Sequence, residues 1–273
     1  MTRQEFNFKG KVALVTGGAR GIGKTIASAF GRAGARVAIC DIDRKTSEAT
    51  VRELKKAGVD ARYFFVDLSK AGEPQRMVAE VSKTFRGLDI LVNNARAGAR
   101  GEPLKDTEES WDLALSVGLR AAYFASQRAI SAMGSQGGGS IVNIGSVSAF
   151  LVSLESAAYH AAKAGLMQLT RYLAAYAGGR HVRVNSVLPG FIVQDEHQKR
   201  YLRNDNGAYR DRAEQSHPLK RVGSASDVSE ATLFLCSDSA SFITGQAIIV
   251  DGGFTIQDAW TVLSSVSDSP KKR

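Results

Sequence analysis

Tyr159 and Lys163 stand four residues apart in an alanine-rich stretch, Ser156 to Lys163, that contains neither Gly nor Pro. On a helix that spacing puts both side chains on one face, where a phenol and an ammonium converge. A free phenol holds its proton up to a pH of about 10, and a neighbouring cation favours the phenolate, so Lys163 would fit Tyr159 for proton transfer near neutrality. Upstream, Ile141-Val-Asn-Ile144 reads as a buried strand, and Ser146 follows just past its end, where an α/β sheet presents its functional groups. A hydroxyl there could polarise a substrate oxygen while Tyr159 moves its proton. One Tyr-x-x-x-Lys pair arises by chance in roughly a third of chains with this many Tyr and Lys, so the rest of the chain must decide whether the pair is used.

The elements that would position these groups begin at the other end. Lys11 to Thr16 is a short apolar strand, and Gly17-Gly-Ala-Arg-Gly21-Ile-Gly23 leads from it into a helical pattern over Lys24 to Ala33. Glycines at a strand-to-helix turn let backbone approach a ligand, and the helix N-terminus offers free N–H groups to a pyrophosphate. A second strand, Arg36 to Asp41, ends in an acid 18 residues after Gly23, placed to accept hydrogen bonds from the adenosine ribose. Asp41 would repel a 2′-phosphate and so favours NAD; Arg20, within the glycine turn, could pair with that phosphate and favours NADP. The acid stands closer, and NAD is the expectation. Helix Lys45 to Ala57, strand Ala61 to Val66, helix Pro74 to Phe85 and strand Leu88 to Asn93 continue an alternation that predicts an α/β fold, a Rossmann-type doubly wound parallel sheet flanked by helices. Asp67 lies just past the third strand, within reach of an adenine amino group.

Composition bounds the reading. The chain has 273 residues, 44% hydrophobic and 23% charged, with no repeat or low-complexity linker, and one domain spanning 1–273 is the simplest organisation. Its net charge of +9 is spread and interleaved with acids, not gathered in a stripe, which argues against nucleic-acid binding. Cys40 and Cys236 sit in apolar runs without metal spacing and read as buried free thiols; His181 and His217 are isolated, so no metal site is expected. The polar N-terminus lacks a signal-peptide core and no apolar window approaches 18 residues, which predicts a cytoplasmic protein without a membrane partner.

Taken together, T-G-G-A-R-G-I-G at Thr16 to Gly23, Asp67, N-N-A at Asn93 to Ala95, Ser146, Y-H-A-A-K at Tyr159 to Lys163, P-G-F-I-V at Pro189 to Val193 and G-Q-A-I-I-V-D-G-G at Gly245 to Gly253 resemble the short-chain dehydrogenase/reductase family, from about Lys11 to Gly253. Ser146 precedes Tyr159 by 13 residues, the separation typical of the family. The resemblance implies that Tyr159 is the base in alcohol oxidation and the acid in ketone reduction, that Lys163 assists it and holds the nicotinamide ribose, and that Ser146 orients the substrate oxygen. It implies cofactor contacts from Gly17, Arg20, Gly21, Ile22, Gly23, Asp41, Asp67, Leu68, Asn94, Tyr159 and Lys163, and from the nicotinamide loop Pro189, Gly190, Ile192 and Gln194. It also implies a homotetramer.

Three positions depart from the family pattern. Arg96 replaces the glycine of N-N-A-G and is either an anion-recognition group at the substrate mouth or a solvated arginine. Gly118 falls 28 residues before Ser146, where the family usually carries a catalytic asparagine; a glycine can still bend a helix and present its carbonyl. Gln194 stands where a threonine commonly follows the P-G-x-x-x loop, and its amide both donates and accepts. Phe191 to Pro218, polar and with a turn at Asn204 to Gly207, resembles the substrate lid, read either as a solvated segment or as a site for a hydroxylated or anionic substrate. Ser226 to Cys236 is an amphipathic helix with a serine cap, Gln246 to Val250 a last strand, and 256–273 a polar tail.

Arg96, Glu155, Gln194 and His197 should border the pocket, and polar walls suit sugars, sugar acids or polyols. The leading expectation is therefore an NAD-dependent oxidoreductase of a secondary alcohol or hemiacetal on such a substrate. The rivals are an NADPH-dependent 3-oxoacyl or other ketone reductase and, in another class, a cofactor-binding protein impaired in turnover.

Overall fold

The computed structural model describes residues 6–97 and 104–258, except the side chains of Asp195 and Asn204. In chain order the elements are β1 (Val12–Thr16), α1 (Gly21–Arg32), β2 (Arg36–Asp41), α2 (Arg44–Lys56), β3 (Ala61–Phe65), α3 (Glu73–Phe85), β4 (Ile90–Asn93), α4 (Glu108–Leu115), a π-helical turn (Ser116–Arg120), α5 (Ala121–Gly134), β5 (Gly139–Ile144), α6 (Ala157–Ala177), β6 (Val182–Pro189), β7 (Ile192–Val193), α7 (Asp195–Tyr201), α8 (Gly207–Gln215), β8 (Gly223–Ser224), α9 (Ala225–Cys236) and β9 (Ala247–Val250).

Seven strands form one parallel sheet in the order β3-β2-β1-β4-β5-β6-β9, and β7 pairs with β8 separately. The pleat sends successive side chains to opposite faces, and both faces are buried. Val12 and Leu14 join Ala38 and Cys40 under α3, α5 and α6. Their neighbours Ala13 and Val15 join Val37 and Ile39 under α1, α2 and α9. The predicted doubly wound α/β sheet is therefore the one observed. The chain leaves β1 towards β2 and β3, then returns past β1 to β4, so the strand order reverses between β1 and β4. That crevice, at the carboxyl ends of the strands, is where such sheets bind ligands.

Several boundaries differ from expectation for local reasons. Helix α1 starts at Gly21, three residues before the Lys24 at which the helical pattern was expected to begin, because the glycine turn feeds straight into helical backbone. The cap of α9 is Ser224, not Ser226: its hydroxyl accepts from the Asp227 N–H, and the Asp227 carboxylate accepts from the Ser224 N–H in return. The polar span Phe191 to Pro218 is not extended loop but carries α7 and α8. Strand β6 was legible only at its Pro189 end. Both cysteines are free and buried, and burial pushes the Cys236 thiol up to about 12. The tail beyond Asp258 lies outside the described residues.

Candidate active site

Helix α6 is started twice over. Ser156 caps it by accepting from the Tyr159 N–H at 3.1 Å, and Asp106 Oδ2 accepts from the N–H groups of Ala157 and Ala158 at 2.8 and 3.3 Å. Three satisfied donors fix the first turn, and with it the backbone that carries Tyr159. One turn later Lys163 is buried, 4% exposed, and its Nζ donates to Ile144 O at the end of β5, 2.7 Å away. Nζ also lies 5.6 Å from the centre of the Tyr159 ring. Burial, and secondarily the charge of Arg96, brings the ammonium down to a pKa of about 8.

Ser146 follows β5 and caps the short turn Val147–Ala149, accepting from the Ser148 N–H at 3.1 Å. That use of a lone pair leaves its O–H proton available to an incoming oxygen. The turn packs against α6. Ser146 thus stands at the root of a turn packed on α6, the helix whose face carries Tyr159 and Lys163.

Beneath them lies a polar layer that sequence reading missed. Asn93 of β4, Asn143 of β5 and Ser186 of β6 stand in register across the sheet. Asn93 Nδ2 donates to Asn143 Oδ1 at 2.8 Å and to Ser126 Oγ at 3.0 Å; Asn143 Nδ2 donates to Thr170 Oγ1 on α6 at 2.9 Å; Ser186 Oγ donates to Asn143 O at 2.8 Å. An asparagine inside the apolar run I-V-N-I was the available signal, because a buried amide needs partners. A second missed chain holds the 146–156 loop. His160 Nδ1 lies 2.8 Å from Ser156 O, which only accepts, so Nδ1 carries the proton and Nε2 accepts from the Ser153 N–H at 3.0 Å. Ser153 Oγ in turn meets Ser148 Oγ at 3.0 Å.

The nucleotide end fits a dinucleotide. Gly17 and Gly21 adopt φ of +63° and +54°, backbone that favours glycine, and a Cβ at Gly23 would run into the Gly17 carbonyl oxygen. Arg20 is the N-cap of α1 and makes no side-chain cap, so its side chain leaves the first-turn N–H groups to a ligand. Asn94 Nδ2 donates to Thr16 O and Gly17 O, and Thr16 Oγ1 accepts from the Asn94 and Ala95 N–H groups, tying β4 to the glycine turn. Asn94 thus buttresses the cradle. Ile22 is half-buried against the α1 side of the core. Asp41 Oδ2 accepts from the Ala19 N–H at 3.2 Å and Oδ1 from the Asp43 N–H at 3.0 Å, fixing the carboxylate beside the turn. Arg20 is exposed. Asp67 accepts from the Ser69 N–H and hydroxyl, bonds that hold its carboxyl below the usual range.

Gln194 reaches the cradle: a Cβ at Gly21 would collide with Gln194 Oε1, with Glu196 Oε1 3.3 Å away. Glu196 was not among the residues singled out in the sequence. Pro189 is buried at the end of β6, Gly190 sits against Asp251, and Ile192 pairs with Gly223. His197 is exposed on α7.

At Gly118 the helix departs from α geometry: Ser116–Arg120 is a π-helical turn between α4 and α5. Beside it is a small cavity, about 10 Å³ of room for a water centre, lined by Thr16, Leu68, Asn93, Ala95, Val117 and Gly118 among others. Leu68 is otherwise packed in the core. Arg96 stands over the phenol ring. Its Cζ lies 5.4 Å over the Tyr159 ring and its Nη1 3.8 Å from Glu155 Oε1.

Known proteins were compared against this arrangement. Residues 17–255 match a family model described as enoyl-(acyl carrier protein) reductase. The chain is 37% identical over 248 residues to 2-(S)-hydroxypropyl-CoM dehydrogenase 3 of Xanthobacter autotrophicus, covering 90% of this chain and 97% of that one. It is 40% identical over 241 residues to a probable galactose dehydrogenase of Rhizobium meliloti, covering 88% and 93%. The chain belongs to the short-chain dehydrogenase/reductase family. Among solved members, a candidate NAD(P)-dependent gluconate 5-dehydrogenase from Beutenbergia cavernae, with NADP bound at low occupancy, superposes with a TM-score of 0.83 at 32% identity, covering 93% of this chain and all of that one. A short-chain dehydrogenase/reductase is an oxidoreductase acting on CH–OH groups with a nicotinamide cofactor, and the uncapped glycine cradle has the form that cofactor needs. No helix among the described residues is long and apolar enough to cross a membrane.

Proposed function

We propose that the protein is an NAD-dependent oxidoreductase acting on a secondary alcohol or hemiacetal of a polar substrate: a sugar, sugar acid or polyol. The observation that carries this reading is the mouth of the site, where Arg96 stands over the Tyr159 ring with Glu155 beside it. Charged groups at that point would leave an acyl chain poorly solvated and would hydrogen-bond a polyhydroxy compound well. When bound, the nicotinamide accepts the hydride in oxidation and supplies it in reduction. In oxidation Tyr159 Oη takes the hydroxyl proton and in reduction gives it back. Ser146 donates to the same substrate oxygen, holding it towards Tyr159. Lys163, buried and anchored to Ile144 O, keeps a positive charge beside the phenol as the proton leaves. NAD follows from Asp41, whose carboxylate is held at the end of β2 where a 2′-phosphate would have to sit.

A second reading has its own observation. Phe150, Val152 and Leu154, 47%, 96% and 80% exposed, line the loop between Ser146 and α6, an apolar stretch that suits an NADPH-dependent 3-oxoacyl or other ketone reductase. One assay separates the two: formation of NADH and NADPH across aldoses, sugar acids and polyols, beside cofactor oxidation with hydrophobic ketones. Turnover of a polyhydroxy compound with NAD is the expected result. Faster turnover of hydrophobic ketones with NADPH would replace the first reading by the second.

A further inference from the structure

We propose that Arg96 is an anion-recognition site, selecting substrates that carry a carboxylate close to the hydroxyl that reacts. The inference rests on the oxidoreductase reading above and names a substrate class within it. Arg96 follows Asn94 and Ala95, whose N–H groups both donate to Thr16 Oγ1, so the segment leaving β4 is fixed at its root. The guanidinium is 5.4 Å from the Tyr159 ring centre and the Lys163 ammonium 5.6 Å from it. The phenol therefore lies beside two cations.

Within 4 Å of the Arg96 guanidinium the described residues set one carboxylate. Glu155 approaches Arg96 only to 3.8 Å, beyond hydrogen-bond distance. Among the described residues the guanidinium's recorded partners are that carboxylate and the ring, so its fork of five N–H donors keeps the capacity for a bidentate anion. The side chain is also reachable, 45% exposed. Lys163 senses the same imbalance: after burial, Arg96 is the cause that lowers its proton affinity. A carboxylate seated on Arg96 would compensate the surplus charge while its neighbouring hydroxyl reaches Ser146 and Tyr159. Glu155 then holds the guanidinium in place between turnovers, and a substrate carboxylate takes over that contact. The chemistry required is that of a small hydroxy acid.

The experiment is calorimetric binding to the protein saturated with whichever reduced cofactor binds more tightly, which prevents oxidation during the titration. D-gluconate and D-glucitol have the same carbon count and differ only in carboxylate against hydroxymethyl. Wild type should bind gluconate about 10- to 100-fold more tightly than glucitol, the worth of a charge-assisted pair. In Arg96→Gly the preference should fall to about twofold or less, with Arg96→Lys between the two because a point charge replaces the fork. A second pair, lactate and propane-1,2-diol, separates this inference from the sugar reading. If neither six-carbon compound binds but lactate is preferred by wild type and not by Arg96→Gly, the sugar reading falls and the Arg96 site stands. An acid preference that survives Arg96→Gly, or no acid preference in either pair, overturns it.

Discussion

The floor and the rim of the site are built on opposite terms. On the floor, Asn93, Asn143, Ser186, Thr170 and Lys163 are buried and bonded to one another or to backbone across β4, β5, β6 and α6. In low dielectric such bonds are strong when made and costly when broken, so the floor has one geometry. On the rim, Arg96 makes a loose ion pair, Val152 and Leu154 face solvent, and Gln194 and Glu196 lean in from α7 and the turn before it. These groups can change without unfolding anything. A reaction shared by a family belongs on the floor, and the choice of substrate belongs on the rim.

The contrast is tested hardest at the phenol. Tyr159→Phe should lower turnover by about 10²- to 10⁴-fold, the usual worth of a positioned acid–base group, while cofactor affinity measured by fluorescence changes little. Surviving turnover would move proton transfer elsewhere. Stability should divide the same way. Asn143→Leu takes one hydrogen-bond partner each from the buried Asn93 amide and Thr170 hydroxyl, which keep Ser126 Oγ and Leu166 O, and should cost about 2–4 kcal/mol in urea unfolding. Glu155→Gln on the rim should stay within about 0.5 kcal/mol. Similar costs for the two would dissolve the distinction.

Next in size is the pH dependence of Lys163. Its folded pKa is lowered from 10.5 to about 8, so between those pH values the unfolded chain keeps a proton the folded chain has lost. Stability must therefore rise with pH through that window, with no slope from this group below about 8 or above 10.5. Unfolding of wild type compared with Lys163→Met should show wild type gaining on the variant between pH 8 and 10.5, other groups cancelling. A flat difference would place the ammonium in a better-solvated setting. Smaller again, Asp41→Ser removes the carboxylate beside Ala19 and leaves Arg20, which should shift the NADP-to-NAD ratio of kcat/KM about tenfold towards NADP.

What the sequence revealed divides along the same line. Apolar runs alternating with helical periods were enough for the parallel sheet and its helices, because burial on both faces writes itself into composition. Tyr159 and Lys163 were legible because four residues is one helical turn, and Ser146 because it ends a strand. The Asn93–Asn143–Ser186 layer was not, since register across three strands separated by helices is a property of the sheet and leaves no local spacing. Nor was the Ser148–Ser153–His160 chain, whose members bond through loop backbone. Helices α7 and α8 were missed because an exposed polar helix shows little apolar stripe. Arg96 was visible as an anomaly after N-N-A; only the fold put it over the phenol.

Gly118 gives the finest test, because it lies on the boundary between the two regions. It is buried in the π-helical turn, has no positive φ, and a Cβ there would meet Ala162 Cβ at 3.4 Å, an ordinary contact. Alanine therefore fits without strain and removes glycine's excess unfolded-state freedom, so Gly118→Ala should stabilise by about 0.5–1 kcal/mol. In a chain of this size that is a rise in Tm of roughly 1–4 °C by calorimetry. Turnover should change by less than about twofold, because the π-helical turn and the backbone carbonyl at 118 remain. The informative failure is a stabilised protein that turns over slowly. The cavity that Gly118 lines has about the room and the polar lining one water needs, and a loss of rate would mean that a water there belongs to the floor.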